Sequence, residues 1–423
     1  MGANDAGNRP GRRRAVAAAG IGNAVEWYDY SLYGALAPLI GAAFFASGSP
    51  AGDLVAAFAV FAAALIVRPI GVLVVGPLGD RFGRRWVLSS TVLAMSLATA
   101  AIGVLPGRDA LGVAAPALLV AFRMVQGLSS GGEIGGGIAY LVEYAPANRR
   151  GLFGAWYLAT LALGVAAGVG AAAGLAWLMP ASAFEAWGWR LPFLLALPAG
   201  LVGLYLRLRL AEPPPFREPA PRATVWASIT HTLGRHRGGT VRGLGMAAVV
   251  SLGLNTYFIF LPAHLEATDR TSLSRALTAA VVGLAACAAT ALAAGWISDR
   301  VGRRPLIMVG GLALAIGAIP SMALVRNEGL PPVVVFVAAG VALGCFVVPT
   351  IASEMFPTPI RATALSLTMG LAAAVFGGTA PLVHAMLVDR LSNLAPGIYV
   401  AAAAVAALVA VARTRETAFD PLP

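Results

Sequence analysis

Glu26 and Asp29 stand three positions apart in a mostly apolar run, and Arg123 stands alone in another. On a helix, residues at i and i+3 share a face, so both carboxylates turn the same way as Tyr30 and Tyr33. An acid and a lone guanidinium in apolar surroundings can trade partners: once the carboxylate is protonated, the arginine is free to hold an anionic group on two parallel hydrogen bonds. That chemistry moves a proton and a carboxylate together. Asp29 and Glu26 are the candidate proton carriers and Arg123 the candidate anion holder, with a permanent Asp29–Arg123 ion pair as the structural alternative. Glu133, roughly 80° around the helix from Arg123, is a third candidate proton site or a partner for glycine-rich backbone. Tyr33, Gln126 on the Arg123 face, Tyr157, Asn255 and Tyr257 are candidates to line the cavity, each weighed against ordinary packing. His384 can titrate near neutral pH, but a lone histidine in an apolar helix is more often satisfied locally. Arg68 reads as a helix-end anchor.

The frame holding these groups is membrane-bound. The chain has 423 residues, of which 58% are hydrophobic and 12% charged, and its mean hydropathy is +0.79. A water-soluble fold of that composition would be covered in apolar surface. Apolar stretches near the roughly 20 residues needed to cross a bilayer centre on residues 30, 65, 96, 127, 164, 200, 252, 285, 315, 342, 375 and 403. Glu26 and Asp29 then lie about 18 and 22 Å along a helix from Arg14, well inside the bilayer, where a charge is costly and marks function by default. Arg12 to Arg14 precede the first stretch without a cleavage-like site after it, so it reads as a retained helix.

The net charge of +11 comes entirely from arginine, with no lysine. With the N-terminus inside, the outer loops hold only Arg108, Arg190, Arg270, Arg275, Arg326 and Arg390, and nearly all the rest fall on the inner side. The positive-inside rule sets that orientation and accounts for the charge without a nucleic-acid partner. Cys287 and Cys345 sit in apolar segments and read as packing, with no disulfide or metal site expected.

A signature G-x-x-x-D-R-x-G-R-R occurs twice, at Gly76 to Arg85 and Gly295 to Arg304, and E-x-x-P-x-x-x-R recurs as Glu143, Pro146, Arg150 and Glu354, Pro357, Arg361. The chain therefore reads as two fused copies of one unit. In each signature the aspartate, Asp80 or Asp299, can face the positive N-terminal end of a neighbouring helix. Arg84 or Arg85 is expected to meet Glu143, and Arg303 or Arg304 to meet Glu354, as latches that close the inner side. The expected organisation is a tail over 1–14, a six-helix bundle over 15–210, a linker over 211–240 that holds either a short amphipathic helix near Trp226 to Leu233 or an irregular solvated loop, a second bundle over 241–412 and a tail over 413–423.

These motifs resemble the major facilitator superfamily. Gly22 to Tyr30, Arg123 to Gly127, Gly131 to Glu133, Trp189 to Phe193, Glu354 to Pro357 and Phe376 to Pro381 are similar to its metabolite:proton symporter branch. The resemblance implies an all-α membrane protein with twelve transmembrane helices in two bundles around a central cavity. It also implies import, with protons, of a small carboxylate or zwitterionic metabolite. Pro77 stands where that family often has histidine. A proton-coupled exporter is the alternative, but Gly164 and Gly168 are followed by Val169, not by the proline such exporters carry. A non-transporting metabolite sensor is the alternative from another class. No nucleophile, metal cluster or nucleotide loop points to an enzyme, so no cofactor is expected beyond the proton gradient, and the expected form is a monomer in the inner cell membrane with both termini cytoplasmic.

Overall fold

A computed structural model describes residues 9–45, 47–71, 84–130, 133–209, 232, 234–268, 270–326 and 331–423. Asp80, the side chains of Arg84, Arg85 and Glu133, and most of the 211–240 linker with its candidate amphipathic helix lie outside the described residues. Among those described, all regular structure is helical. The first half contains α1 (Arg9–Ala35), α2 (Ala37–Phe44), α3 (Pro50–Ile66), α4 (Arg84–Val104), α5 (Ala114–Ser129), α6 (Glu133–Glu143), α7 (Arg150–Leu178) and α8 (Leu191–Arg209). The second contains α9 (Arg237–Asn255), α10 (Leu261–Ala267), α11 (Leu273–Val301), α12 (Arg303–Arg326), α13 (Pro332–Gly344), α14 (Val348–Glu354), α15 (Thr358–Ala372), α16 (Ala380–Arg390) and α17 (Ala395–Ala412). Every expected centre falls in a separate helical segment once α1 is joined to α2, α5 to α6, α9 to α10, α13 to α14 and α15 to α16. Among the described residues, eight stretches are long and apolar enough to cross a membrane by themselves, and Ser89–Val104 and Gly188–Val202 are shorter apolar helices.

Local chemistry sets the ends. Ser49 caps α3 by accepting from the N–H of Gly52 at 3.1 Å, with Pro50 and Asp53 in the first turn, where a missing N–H and a negative charge are both favourable. Gly302 ends α11 at φ +100°, a conformation that a side chain strains. Two wide π-turns interrupt longer helices: Thr256–Phe260 joins α9 to α10, and Ala373–Gly378 joins α15 to α16.

The halves meet along small residues. A Cβ on Gly151 would collide with Arg303, Ser298 and the backbone of Gly295, so α7 and α11 approach nearly backbone to backbone. Within the first half, a Cβ on Gly164 or Gly168 would strike Ala24 or Ser31, which explains these two glycines as the seam between α7 and α1. At the face opposite the arginines, Phe58 of α3 meets Phe260 with ring centroids 6.4 Å apart, and Gly34 of α1 abuts Ile259. The halves therefore touch at both faces.

Candidate functional site

Four buried charged residues of the first half, Glu26, Asp29, Arg68 and Arg123, gather on one space. Glu26, Asp29 and Tyr30 from α1, Arg68 just beyond α3, and Arg123 and Gln126 from α5 line a cavity of about 20 Å³. That is room for about one water molecule and far less than a metabolite needs. Arg68 is no helix-end anchor. It is buried and forms an ion pair with Glu26 at 3.1 Å, and its guanidinium lies 5.6 Å from the Trp27 ring and 5.5 Å from the Tyr30 ring. Apolar walls force this arrangement, because a buried cation needs a counter-charge or a ring face.

Asp29 and Arg123 share the cavity without forming an ion pair, so the permanent pair is not what this conformation holds. Neither oxygen of Asp29 has a hydrogen-bond donor, and the Nε and Nη2 of Arg123 have no acceptor. Both residues are about 2% exposed. The third nitrogen, Nη1, donates to Gln126 Oε1 at 2.8 Å, and Gln126 Nε2 donates to Thr99 Oγ1 at 2.6 Å. Tyr33 lies under the guanidinium, 4.3 Å from its ring centroid, with its own hydroxyl unpartnered. Unsatisfied buried polar atoms are rare in folded proteins. Here they concentrate around one cavity, on an acid and on a base whose fork is held open.

One bond ties this cavity to the other half at mid-depth. The Tyr30 hydroxyl donates to Asn255 Oδ1 at 2.8 Å, and Asn255 Nδ2 donates back along α9 to Ser251 O, which fixes which amide atom accepts. Tyr257 does not join them: its hydroxyl is 2.9 Å from Ser321 of α12, facing away from the cavity. Tyr157 is not among the residues lining this cavity; its carbonyl accepts from Asn23 Nδ2 at 3.0 Å and its ring lies against Gly137 of α6. His384 is fully buried, with Nε2 2.7 Å from Thr256 Oγ1. Thr256 gives its single proton to Leu252 O, so the histidine must be the donor in that contact.

At the arginine-rich face the two repeated motifs exchange partners. Arg361 donates to Glu143 Oε1 at 2.7 Å and Arg150 pairs with Glu354 at 3.3 Å, each bond crossing from one half to the other. Arg361 is a Glu143 partner that the sequence did not suggest, while the side chains of the expected partners, Arg84 and Arg85, lie outside the described residues. Sequence spacing within one half cannot reveal a partner 218 positions away. Arg303 meets Glu354 at 3.1 Å and Asp299 at 2.8 Å, as the second signature suggests, while Arg304 turns to the Ala412 carbonyl. Asp299 caps the other half directly, accepting from the N–H groups of Gly151 and Leu152 at 2.7 and 3.1 Å at the start of α7.

The segment after α17 joins this cluster, which sequence reasoning missed. Glu416 accepts from the N–H groups of Arg303 and Arg304 at 2.8 and 3.1 Å. Burial pushes its carboxyl up, but the backbone donors of Arg303, Arg304, Ala418 and Thr417 outweigh that and hold it below the ordinary carboxylate range. It stays ionised at neutral pH. Arg150 reaches the same segment, donating to the Asp420 carbonyl at 2.6 Å.

Glu354 is where these bonds converge, so Glu354→Gln is expected to loosen the arginine-rich face. Removing one partner of a buried ion pair costs about 3 kcal/mol or more, roughly a hundredfold shift away from the closed state. Thr350→Cys, buried opposite the Gly151 carbonyl at 3.4 Å in the wild-type contact, reports the change in a chain carrying Cys287→Ala and Cys345→Ala. Maleimide labelling at position 350 should accelerate at least tenfold when Glu354→Gln is added. Equal labelling rates would show that Glu354 does not hold this face closed.

Comparison with known proteins gives a consistent picture. Residues 19–367, and again 244–421, match the Major Facilitator Superfamily. The chain is 32% identical to the glycine betaine/proline/ectoine/pipecolic acid transporter OusA of Dickeya dadantii, covering 97% of this chain and 84% of that one. It is 32% identical to the proline/betaine transporter of Escherichia coli, over 97% and 85% of the two chains, and 34% identical to the ectoine/proline transporter ProP of Corynebacterium glutamicum, again over 97% and 85%. Among solved structures, the proton:xylose symporter XylE superposes with a TM-score of 0.75 over 98% of both chains at 20% identity, a likeness of fold. Duplicated motifs, helix order and relatives agree: the chain belongs to the Major Facilitator Superfamily and is a multi-pass membrane transporter with its twelve-helix fold.

Proposed function

We propose that the chain is a proton-coupled importer of a small zwitterion bearing a carboxylate. One observation carries the reading: a buried acid without a donor and a buried guanidinium with two free nitrogens face one cavity and are not paired. Asp29 takes the proton and Arg123 the substrate carboxylate. Glu26 serves as the fixed counter-charge of Arg68. The cross-half bonds among Glu143, Arg150, Glu354 and Arg361 close one face while the other opens, and they break when the halves rock. The names of the relatives favour a zwitterion over a dicarboxylate. The arginine-rich face and both termini are cytoplasmic, the protein works as a monomer in the inner membrane, and the proton gradient is the only energy source.

Purified protein in liposomes tests this. Under an imposed gradient, acid outside, glycine betaine or proline is expected to accumulate, and a protonophore should abolish the uphill phase. Uptake of the same rate and extent with and without the gradient would exclude coupling, and gradient-driven expulsion would make the chain an exporter.

A further inference from the structure

Given a carboxylate-bearing zwitterion as substrate, as proposed above, its cationic end also needs a site, and Asp29 cannot supply one. In the loaded state that carboxyl is protonated, so it is neutral, and a quaternary ammonium has no N–H to donate to it. What remains near the carboxylate site is aromatic. Trp27, Tyr30 and Tyr33 project from α1 and Phe61 from α3. Tyr30 sits between Trp27 and Phe61, with ring centroids 5.1 and 4.7 Å away. A guanidinium covers every one of these rings: Arg68 stands over Trp27 and Tyr30, and Arg123 stands 4.3 and 5.6 Å from Tyr33 and Phe61. Rings that hold a cation in a buried, apolar space present the negative potential an ammonium requires.

We infer that Trp27 and Tyr30 form the subsite for the substrate's ammonium group, and that Arg68 occupies this subsite when the carrier is empty. Of the four rings, Tyr30 lines the cavity beside Arg123, so a ligand whose carboxylate sits on Arg123 places its ammonium, one carbon away, on that face. Arg68 then withdraws toward Glu26, which already holds it. Because the Tyr30 hydroxyl bonds Asn255 of the other half, the ring that takes the cation is also the one that spans the two halves.

The test compares two ligands of one shape. Glycine betaine and 3,3-dimethylbutanoate differ by nitrogen in place of carbon, and so by one positive charge. Calorimetry on purified protein, with no gradient, is expected to show betaine binding roughly three- to thirtyfold tighter than its isostere. Trp27→Leu and Tyr30→Leu should bring that ratio close to one while the isostere still binds, and Tyr30→Phe, which keeps the ring, should preserve it. Site-specific fluorination of Trp27 drains the ring face without changing its shape, and should weaken betaine alone even if leucine disturbs the helix packing. A wild-type ratio near one, or a ratio untouched by loss or fluorination of the rings, would overturn the subsite and leave proton coupling standing. Failure of the wild type to bind betaine at all would overturn both this subsite and the zwitterion reading.

Discussion

Arg123→Ala is expected to abolish substrate binding at any concentration the transporter would meet. The guanidinium is buried, its Nη1 is fixed by Gln126, and its remaining nitrogens are unused. A carboxylate arriving there gains a charge-assisted, two-point bond in a space shielded from water. Losing such a partner typically costs about 2–5 kcal/mol, a weakening of roughly 30-fold to several thousandfold in Kd. Arg123→Lys keeps the charge and loses the planar fork, so it should fall between alanine and the wild type. Equilibrium binding of radiolabelled glycine betaine to purified variants measures this. A Kd for Arg123→Ala within about threefold of the wild type would remove Arg123 from the binding site.

Asp29→Asn should give the opposite separation, with binding retained and accumulation lost. The amide imitates the protonated carboxyl permanently, so the substrate-loaded carrier can still cross between its two faces, but no proton need accompany it. A gradient of one pH unit holds about 1.4 kcal/mol per proton and supports roughly tenfold accumulation if one proton travels with each substrate. The variant should therefore equilibrate to about equal concentrations on both sides under a gradient that drives the wild type tenfold uphill. Exchange of labelled for unlabelled substrate should persist. Uphill accumulation by Asp29→Asn would shift the proton to Glu26 or Glu133.

What the sequence discloses, and what it hides, follows from the range of each interaction. Every apolar segment is legible, because spanning a bilayer needs a long local run, and each expected centre lies in its own helical segment. Buried charges are equally plain by type: Glu26, Asp29 and Arg123 stand out because lipid makes them costly. Pairings are not legible when they join distant positions. Arg68 looked peripheral because its counter-charge, Glu26, is on another helix, and Arg361, which meets Glu143, belongs to the second repeat. Tyr257 failed for a different reason. Asn255 and Tyr257 are two positions apart, about 200° around a helix, so one face could not hold both. Asn255 meets Tyr30 of α1, while Tyr257 meets Ser321 of α12.

The exchanged partners at the arginine-rich face carry a further consequence. Glu143 is completed by Arg361, and Glu354 by Arg150, so the glutamate of each repeat takes the arginine of the other. Reciprocity of this sort defines an isologous contact, in which residue i of one subunit meets residue j of its twin and j meets i. The bonds that join the halves at this face are thus laid out as in a two-fold dimer of six-helix subunits. Each glutamate is completed across the junction, Glu354 in addition to its bond with Arg303 of its own repeat, and what looks like a gate in the single chain has the geometry of an association surface between two like units.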